Sequence, residues 1–313
     1  MSERFAFFSH YSAAGSLVGC ARRILLSLRQ TGWQVLVIST ALNAEAQAWC
    51  EAEGVEWLLR ANQGRDFGAF QAAWQQFERQ DRWQDCDGLI LLNDSVYLRH
   101  DQQQTSWPLF LNGVEDVVLG FTDSFQNGYH LQSYALHVPA MVLRSSAWSE
   151  FWACLDTSRG TASIIRDGEI GLSSQLLKAG FQLRALHPLL HLRRLSASGH
   201  FSDWLSSQLD SGHRRMAKEY LLSHGRITAC LLNPSHQLLF PLLCDGVPLI
   251  KRDVLEENGS AVPDPFLLAG AEQWFDPDEL VAYLKPPLLG FKGSSFLQKS
   301  LRVLYNLSIR AQR

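Results

Sequence analysis

The sequence predicts an α/β protein with a doubly wound, mainly parallel sheet. In the first third of the 313-residue chain, short apolar runs typical of buried strands alternate with amphipathic helical patterns. Polar clusters follow two of these predicted strands, at the place where parallel sheets of this kind bind their ligands. Both observations point to the same architecture.

The alternation can be followed element by element. "RFAFFSHY" and "WQVLVIST" have the short apolar character of buried strands, and the segment between them has a helical period that ends at Gly32. "NAEAQAWCEAEG" predicts a second helix with Gly54 just past its end, followed by a strand in "VEWLLRA". "DFGAFQAAWQQFERQ" predicts a third helix with its aromatic residues on one face, and "DGLILLND" predicts a fourth strand.

Two regions are expected along the chain. No low-complexity linker interrupts the mixed elements that continue to Pro188, so residues 1–190 are predicted to form one ligand-binding domain. The remainder, 191–313, begins with a stretch rich in basic residues and histidine, and it is predicted to form a mostly helical C-terminal extension.

Composition narrows the function classes. The formal net charge of -3 argues against a polycation that grips nucleic acid, so no nucleic-acid partner is expected. The six cysteines form no C-x-x-C pair, which argues against a disulfide framework or a zinc site. The N-terminus lacks a secretory-signal pattern, and no window holds about 18 consecutive apolar residues. A cytoplasmic protein is the simplest expectation.

The first polar cluster, "NQGRDFGAF" at 62–70, opens the third predicted helix. A glycine before a helix N-terminus exposes backbone N–H groups that suit a phosphate or a carboxylate. Arg65 offers a bidentate contact to a diphosphate, and Asp66 either caps the helix or accepts a hydrogen bond from a ribose or a base. The alternative is a structural turn with Asp66 as its cap.

The second cluster, "LLNDSV", ends the fourth predicted strand. Asp94, between Asn93 and Ser95, is placed to hold a divalent cation or a sugar hydroxyl. The alternative is an Asx turn that only terminates the strand. Because both clusters follow strands of one sheet, they are expected to lie side by side at the same edge.

A candidate general base lies in "DGEIGLSSQLLKAGF". Glu169 precedes a predicted helix whose dipole would keep its carboxylate ionised, and Ser173 and Ser174 are expected to donate hydrogen bonds to it or to a ligand. First-turn charge complementarity is the alternative.

A run of hydrogen-bonding side chains lies in "NGYHLQSYALH". It suggests either recognition of a polyhydroxylated ligand or a satisfied structural network. The residues concerned are His130, Gln132, Ser133 and Tyr134.

Five segments occur in an order that resembles the rhamnan synthesis protein F family. They are "NQGRDFGAF", "LLNDSVY", "HLQSYALH", "GEIGLSSQLLKAGF" and "LNPSHQLLFPLLCDGVPLIKRDVLEENG", and the resemblance runs from Phe5 to Asn258. Members of this family look like GT-A-type glycosyltransferases that build bacterial surface polysaccharides, such as the O-antigen of lipopolysaccharide. The resemblance implies a GT-A-like fold and transfer of a sugar from a nucleotide-sugar donor, with dTDP-L-rhamnose favoured, to a lipid-linked oligosaccharide or polysaccharide acceptor.

The resemblance also implies roles for the marked positions. Asn62, Arg65 and Asp66 would line the nucleotide part of the donor. Glu169 would be the general base of an inverting, single-displacement transfer. The residues expected near the donor sugar or the acceptor are His130, Gln132 and Tyr134.

Metal dependence is left open by one departure from the family pattern. Asp94 lies where GT-A enzymes carry an Asp-x-Asp motif, and His187 is a further candidate ligand for Mg²⁺, Mn²⁺ or the diphosphate. "NDS" supplies one carboxylate where Asp-x-Asp supplies two, so a metal ion would bind weakly until the donor diphosphate adds its oxygens.

Three questions stay open from the residues alone. The segment with Asn233, His236 and Lys251 either shapes the acceptor cleft or is a buried helix pair with a solvated Lys251. The tail "FLQKSLRVLYNLSIRAQR" predicts a basic amphipathic helix, either lying on the inner face of the cytoplasmic membrane or docked on the protein. The alternative to a transferase is a catalytically inert carbohydrate-binding subunit of a polysaccharide assembly complex.

Overall fold

A computed structural model of the protein describes residues 3–225, 227–256, 260, 262–263, 268–269 and 271–274. The strands are β1 (Glu3–His10), β2 (Gln34–Ser39), β3 (Glu56–Leu59), β4 (Cys86–Asn93), β5 (Val96–Leu98), β6 (Val117–Gly120), β7 (Asp123–Ser124), β8 (His130–Leu131), β9 (Ala135–Pro139), β10 (Gln182–Ala185) and β11 (Leu249–Lys251).

Helices cover both faces of the sheet and make up most of the described chain after it. The helices that begin before residue 190 are α1 (Gly19–Gln30), α2 (Ala44–Ala52), α3 (Arg65–Arg79), α4 (Trp107–Asn112), α5 (Ala140–Leu143), α6 (Ser146–Cys154), α7 (Thr161–Ser163), α8 (Gly171–Lys178) and α9 (Leu189–Ser196). The later ones are α10 (Gly199–Gln208), α11 (Ser211–Gly225), α12 (Pro234–Gln237), α13 (Leu239–Cys244), α14 (Arg252–Glu256) and α15 (Ala271–Trp274). A π-helical segment, Ile164–Ile170, joins α7 to α8, and 3₁₀ turns lie at Gln102–Gln104 and Ala229–Leu231.

The central sheet confirms the predicted fold class. Seven strands lie in the order β10-β6-β9-β4-β1-β2-β3, and β1 to β4 are the four strands that the sequence predicts in the first third of the chain. All neighbouring pairs among β1 to β4 are parallel, and so is β10 with β6. The one reversed strand is β9, which is antiparallel to both β4 and β6. The sheet is therefore mixed but mainly parallel.

Apolar cores cover both faces of this sheet. Along β1, Phe5 and Phe7 join a cluster with residues of α3, α6 and α8, whereas Ala6 and Phe8 join a cluster with residues of α1 and α2. Successive side chains of a strand point to opposite faces, so a strand that is apolar throughout must have helices on both sides. The fold is doubly wound, as predicted.

The described residues after 190 are mostly helical and pack on the first core. Leu192, Phe201 and Phe240 belong to the same apolar cluster as Ala6 and Phe8. A domain boundary near residue 190 stays a prediction. The tail predicted to form a basic amphipathic helix lies outside the described residues. Within the described ranges, no helix is both long and apolar enough to cross a bilayer.

One strand of the C-terminal region returns to the sheet edge. β11 pairs with β5 in antiparallel register, with Lys251 opposite Val96. The pairing continues one residue further, because the N–H of Arg252 donates to the carbonyl of Ser95 at 2.8 Å. Residues 251 and 252 are thereby held against the turn that follows β4.

Candidate functional site

The two polar clusters predicted from the sequence are joined by direct hydrogen bonds. Asp66, in the first turn of α3, accepts from the Ser9 hydroxyl at 3.0 Å and from Asn93 Nδ2 at 2.7 Å. Ser9 lies near the carboxyl end of β1 and Asn93 ends β4. Asp66 is not the helix cap that the turn interpretation required, because the N-cap position is occupied by Gly64. Its carboxylate instead connects α3 to β1 and β4 through these two hydrogen bonds.

The turn before α3 has an unusual backbone. Gly64 and Arg65 follow each other with φ of 72° and 51°, in the left-handed region that a residue with a side chain rarely adopts. A non-glycine residue held there costs about 1–2 kcal/mol, and such positions cluster at ligand sites. Arg60 fixes the turn by donating to the carbonyls of Ala61 at 3.0 Å and Arg65 at 2.5 Å. The side chains of Asn62 and Arg65 remain exposed at the edge of the sheet.

The turn after β4 is an Asx turn, as the structural alternative proposed. Asn93 Oδ1 accepts from the Ser95 N–H at 3.2 Å and from its hydroxyl at 2.5 Å. This geometry also sets the position of Asp94, whose Oδ2 accepts from the Tyr11 N–H at 2.8 Å. Burial, with a smaller contribution from the nearby charge of Asp66, raises the pKa of Asp94 to about 7.

A small polar cavity lies beside Asp94. It has a volume of about 120 Å³, and four of its nine lining residues belong to the loop after β1. Burial lowers the pKa of His10 to about 4, so its ring is neutral near pH 7, and Nδ1 lies 2.8 Å from the Ser39 hydroxyl. The lining residues are His10, Tyr11, Ser12, Ser16, Val18, Ala21, Asp94, Val96 and Arg252.

Glu169 lies on the π-helical segment and not at a helix N-terminus. The continuous helical run begins at Thr161, so the helix dipole invoked from the sequence does not act on this carboxylate. Ser133 holds Glu169 instead, because its N–H and its hydroxyl both donate to Oε1, at 2.7 and 2.9 Å. The Ser173 hydroxyl accepts from the Leu131 N–H, and the hydrogen bonds to Glu169 among the described residues come from Ser133. π-helical turns are frequent at functional sites.

Glu169 and the turn after β4 lie at the same edge of the sheet. β9 runs antiparallel to β4, so its first residues adjoin the last residues of β4. The Asn93 N–H donates to the Tyr134 carbonyl at 3.2 Å, one residue after Ser133. The carboxylate that Ser133 holds is therefore close to the Asp66 cluster along this edge.

The other members of the "NGYHLQSYALH" run form a buried network. The Tyr134 hydroxyl lies 2.9 Å from Thr122 Oγ1, which donates to Gln132 Oε1 at 2.7 Å. Gln132 Nε2 in turn donates to Asn233 Oδ1 at 3.0 Å. His130 is buried as well, with Nδ1 2.9 Å from the Gly128 carbonyl. For His130, Gln132 and Tyr134 the geometry corresponds to a structural network, which was the alternative to sugar recognition. Ser133 is the member of the run that contacts Glu169.

Sequence reasoning did not place Lys251 beside the turn after β4. It left open whether the segment of Lys251 shapes an acceptor cleft or forms a buried helix pair with a solvated Lys251. Lys251 Nζ donates to the Ser95 hydroxyl at 2.8 Å and lies 5.2 Å from the centroid of the Tyr134 ring. Burial lowers the pKa of Lys251, and the charges of Asp253, Asp66 and Glu169, in that order, oppose that shift. The basic pair "KR" after an apolar "PLI" was the available signal, but only the pairing of β11 with β5 reveals where it lies.

Both ring nitrogens of His187, a predicted metal ligand, face protein partners. Its Nδ1 lies 2.7 Å from Asp245 Oδ2 and its Nε2 lies 2.7 Å from the Ser106 hydroxyl, so neither ring nitrogen has a lone pair left for a cation. In the part of the chain that the structure describes, no three His, Cys, Asp or Glu side chains form a group that could hold a metal ion. Asp94 is a single carboxylate, so these residues do not fit a divalent cation held by the protein alone.

Sequence comparisons leave the family open. No protein-family model matches the chain. Two sequences of the virulence protein VirA from Vibrio anguillarum, one of them from strain ATCC 68554 / 775, are 25% identical to it over 223 residues. The match covers 69% of this chain and 66% of VirA, so the chain spans just under two thirds of the length of that relative.

Two solved structures resemble the fold at low similarity. A protein described as a nucleotide-diphospho-sugar transferase from Desulfovibrio desulfuricans G20 has a TM-score of 0.34 and 13% identity, covering 72% of this chain and 95% of its own. A cytidylyltransferase from Leptospira borgpetersenii has a TM-score of 0.30 and 11% identity, covering 58% and 74%. Scores of this size carry no argument about function.

Proposed function

We propose that this protein is a glycosyltransferase that moves a sugar from a nucleoside-diphosphate donor to an acceptor hydroxyl. The observation that carries the proposal is the fixed carboxylate of Glu169. Ser133 holds Oε1 with two hydrogen bonds, and within the described residues Oε2 accepts none. A half-buried carboxylate held in one orientation at the ligand-binding edge of an α/β sheet is suited to take a proton from a bound hydroxyl.

The proposed reaction is a single displacement. Oε2 of Glu169 accepts the proton of the acceptor hydroxyl while the hydroxyl oxygen bonds to the anomeric carbon of the donor sugar. The bond from that carbon to the diphosphate oxygen breaks, and its electron pair leaves with the nucleoside diphosphate. Attack opposite the leaving group inverts the anomeric configuration. General-base assistance contributes about 10²–10⁴-fold to such a rate.

Donor binding is proposed at the edge formed by the turn before α3 and the turn after β4. Asn62 and Arg65 are exposed there, and the N-terminus of the 15-residue helix α3 offers free N–H groups and the positive end of a dipole. Asp66 and the turn from Asn93 to Ser95 form the base of this edge, and Asp94 also lines the polar cavity.

The finer assignments rest on the resemblance to the rhamnan synthesis protein F family. They are dTDP-L-rhamnose as the donor, a lipid-linked oligosaccharide or polysaccharide as the acceptor, and a peripheral location at the inner face of the cytoplasmic membrane. The rhamnan, O-antigen and lipopolysaccharide context belongs to the same proposal.

A thermal-shift titration with dTDP, UDP, GDP and CMP, each with and without Mn²⁺, tests the proposal. A ligand at 100 times its Kd stabilises the folded state by about 2.7 kcal/mol, which is a measurable shift in Tm. A shift with one nucleotide supports a donor site and identifies the base of the donor. The anomeric configuration of the transfer product, read by NMR, then tests Glu169, because a retained configuration contradicts its role as the base.

An inert carbohydrate-binding subunit is the second candidate. The single carboxylate in "NDS", where Asp-x-Asp supplies two, is the observation that favours it. Stabilisation by glycans but by none of the four nucleotides is the result expected of such a subunit.

A further inference from the structure

We infer that Lys251 binds the donor diphosphate and supplies the positive charge that a divalent cation supplies in metal-dependent transferases. The inference rests on the proposed function, and it names the group that stabilises the leaving diphosphate. An Asp-x-Asp motif has two carboxylates, whereas "NDS" has one. The ammonium cation of Lys251 explains how such a site can still bind a nucleoside diphosphate.

The position of Lys251 is set by the backbone. The antiparallel register of β11 on β5 places it opposite Val96, next to the turn that ends β4. Its Nζ then reaches the Ser95 hydroxyl at 2.8 Å, on the turn predicted to contact the donor. Strand pairing fixes a side chain more precisely than a loop does, so the ammonium group is oriented before any ligand binds.

The ammonium group feels the charges of nearby carboxylates but forms no direct ion pair with any of them in the part of the chain that the structure describes. Within the described residues, Nζ donates to Ser95 alone and no carboxylate forms an ion pair with it. An ammonium group has three N–H donors, so two of them stay available. A partly buried cation without a paired anion is costly to hold, as the lowered pKa of Lys251 also indicates. A diphosphate oxygen would supply a direct ion pair and an acceptor for the remaining N–H groups.

The charged groups around Lys251 include those of the proposed site. Asp253 on α14 favours its charged form most, followed by Asp66 in the first turn of α3 and Glu169 on the π-helical segment, whereas the charge of Arg65 opposes it. Tyr134 presents its ring face 5.2 Å away, which suits a cation. The ammonium therefore lies between the proposed base and the proposed donor-binding edge, where the bond between sugar and diphosphate would break.

Arg252 adds a second positive charge on the other side of the turn. Its Nη1 donates to the Asp94 carbonyl at 3.1 Å, and its side chain lines the polar cavity. Two consecutive cations from β11 and α14 thus flank the "NDS" turn. A fixed pair of cations stabilises the charge that develops on a leaving diphosphate without reorganising when the bond breaks.

Calorimetric binding of dTDP, UDP and GDP in EDTA and in Mn²⁺ tests the inference on the full chain. We compare the wild type with Lys251→Met, with Lys251→Arg, and with Lys178→Met, which removes the charge of an exposed lysine at the end of α8. The nucleotide that binds is also titrated as its monophosphate. Thermal melts check that each variant is folded.

We expect wild type to bind one diphosphate in EDTA about as tightly as in Mn²⁺. Lys251→Met should weaken that binding by about 10- to 100-fold, the range for a lost hydrogen bond to a charged group, and weaken the monophosphate less. Lys251→Arg should retain most of the affinity, and Lys178→Met all of it.

Two other results overturn the inference in different ways. Binding that requires Mn²⁺, or that Lys251→Met leaves unchanged, refutes the role of Lys251 and leaves the proposed function intact. Wild type that binds none of the nucleotides under either condition refutes the donor site, and with it both proposals.

Discussion

Asp66 Oδ2 lies 2.7 Å from Asn93 Nδ2, although 27 residues separate them in the chain. This hydrogen bond connects the first turn of α3 to the end of β4, and the Ser9 hydroxyl connects the same carboxylate to β1. Hydrogen bonds to a charged acceptor are stronger than neutral ones and orient both partners. The two turns that follow these strands are therefore fixed relative to each other.

Removal of either partner should destabilise the fold through this bond. We expect Asp66→Ala and Asn93→Ala each to lower the free energy of unfolding by about 1–3 kcal/mol, because each leaves a partly buried polar group without its partner. The double variant should lose less than the sum, with a coupling of about 1 kcal/mol or more. Urea denaturation of the four proteins measures this cycle, and purely additive losses would contradict the coupling.

Substitution of Glu169 should affect turnover and spare binding. Glu169→Gln keeps an acceptor oxygen for the two hydrogen bonds from Ser133 but removes the proton-accepting carboxylate. We expect sugar transfer to fall by about 10²–10⁴-fold, with Tm and donor affinity close to those of the wild type. Asp167→Asn is the matched control, since Asp167 lies on the same π-helical segment and pairs with Arg166. Comparable turnover loss in both variants would remove Glu169 as the base.

Gly168 should tolerate no side chain, because the π-helical segment packs closely on α3 at this residue. A Cβ there would lie 2.8 Å from Phe67 Cγ, well inside van der Waals contact. We expect Gly168→Ala to destabilise the protein by about 1–3 kcal/mol and to reduce transfer, since it displaces the segment that carries Glu169.

The neighbouring Gly171 provides the control. A Cβ at Gly171 would meet its nearest neighbour, the Arg166 carbonyl, at 3.4 Å, which is an ordinary contact. Gly171→Ala should therefore stabilise the helix by about 0.5–1 kcal/mol. Thermal and urea unfolding of both variants, with a transfer assay, tests the contrast. Equal effects on stability would show that the contact with Phe67 does not constrain the segment.

Stability should depend on pH through Asp94. In the folded protein the carboxyl of Asp94 keeps its proton up to a pKa of about 7, whereas in the unfolded chain it ionises near 3.9. Between these values the folded state binds more protons, so this residue makes stability fall as pH rises, and above about pH 7 its contribution is constant.

Asp94→Asn should remove that pH dependence, because Asn keeps an acceptor for the Tyr11 N–H. The variant should be stabilised more at pH 8 than at pH 5, by a difference of about 2 kcal/mol. Urea denaturation at both pH values measures it, with Asp87→Asn on the exposed surface as control. The same gain at both pH values would contradict a raised pKa.

The first four strands and the helices between them could be predicted because their signals are local. Apolar periodicity and a glycine after a helix, as at Gly54, identify each element within a short window. The meeting of Asp66 with Asn93 followed from one rule about parallel sheets. Whether Asp66 caps the helix could not be predicted, because capping depends on the backbone turn before the helix. The φ angles of Gly64 and Arg65 define that turn.

The parts that could not be predicted depend on contacts between distant segments. The reversed strand β9 resembles the other strands in composition, because direction leaves no trace in apolar patterning. The contact of Ser133 with Glu169 and that of Lys251 with Ser95 join residues 36 and 156 positions apart. The sequence pattern predicts that a helix begins just after Glu169. In the structure the helical run begins earlier, and Glu169 lies inside it on the π-helical segment.

The antiparallel pairing of β5 with β11 joins parts of the protein that are synthesised far apart in time. Asp66, Asn93 and Asp94 all precede the end of β5, whereas β11 comes much later in the chain. Lys251 is added 156 residues after Ser95, so a nascent or prematurely terminated chain lacks the cation at the turn. Under the proposal for Lys251, such an unfinished chain should bind a nucleoside diphosphate about 10- to 100-fold more weakly than a chain in which β11 has joined β5.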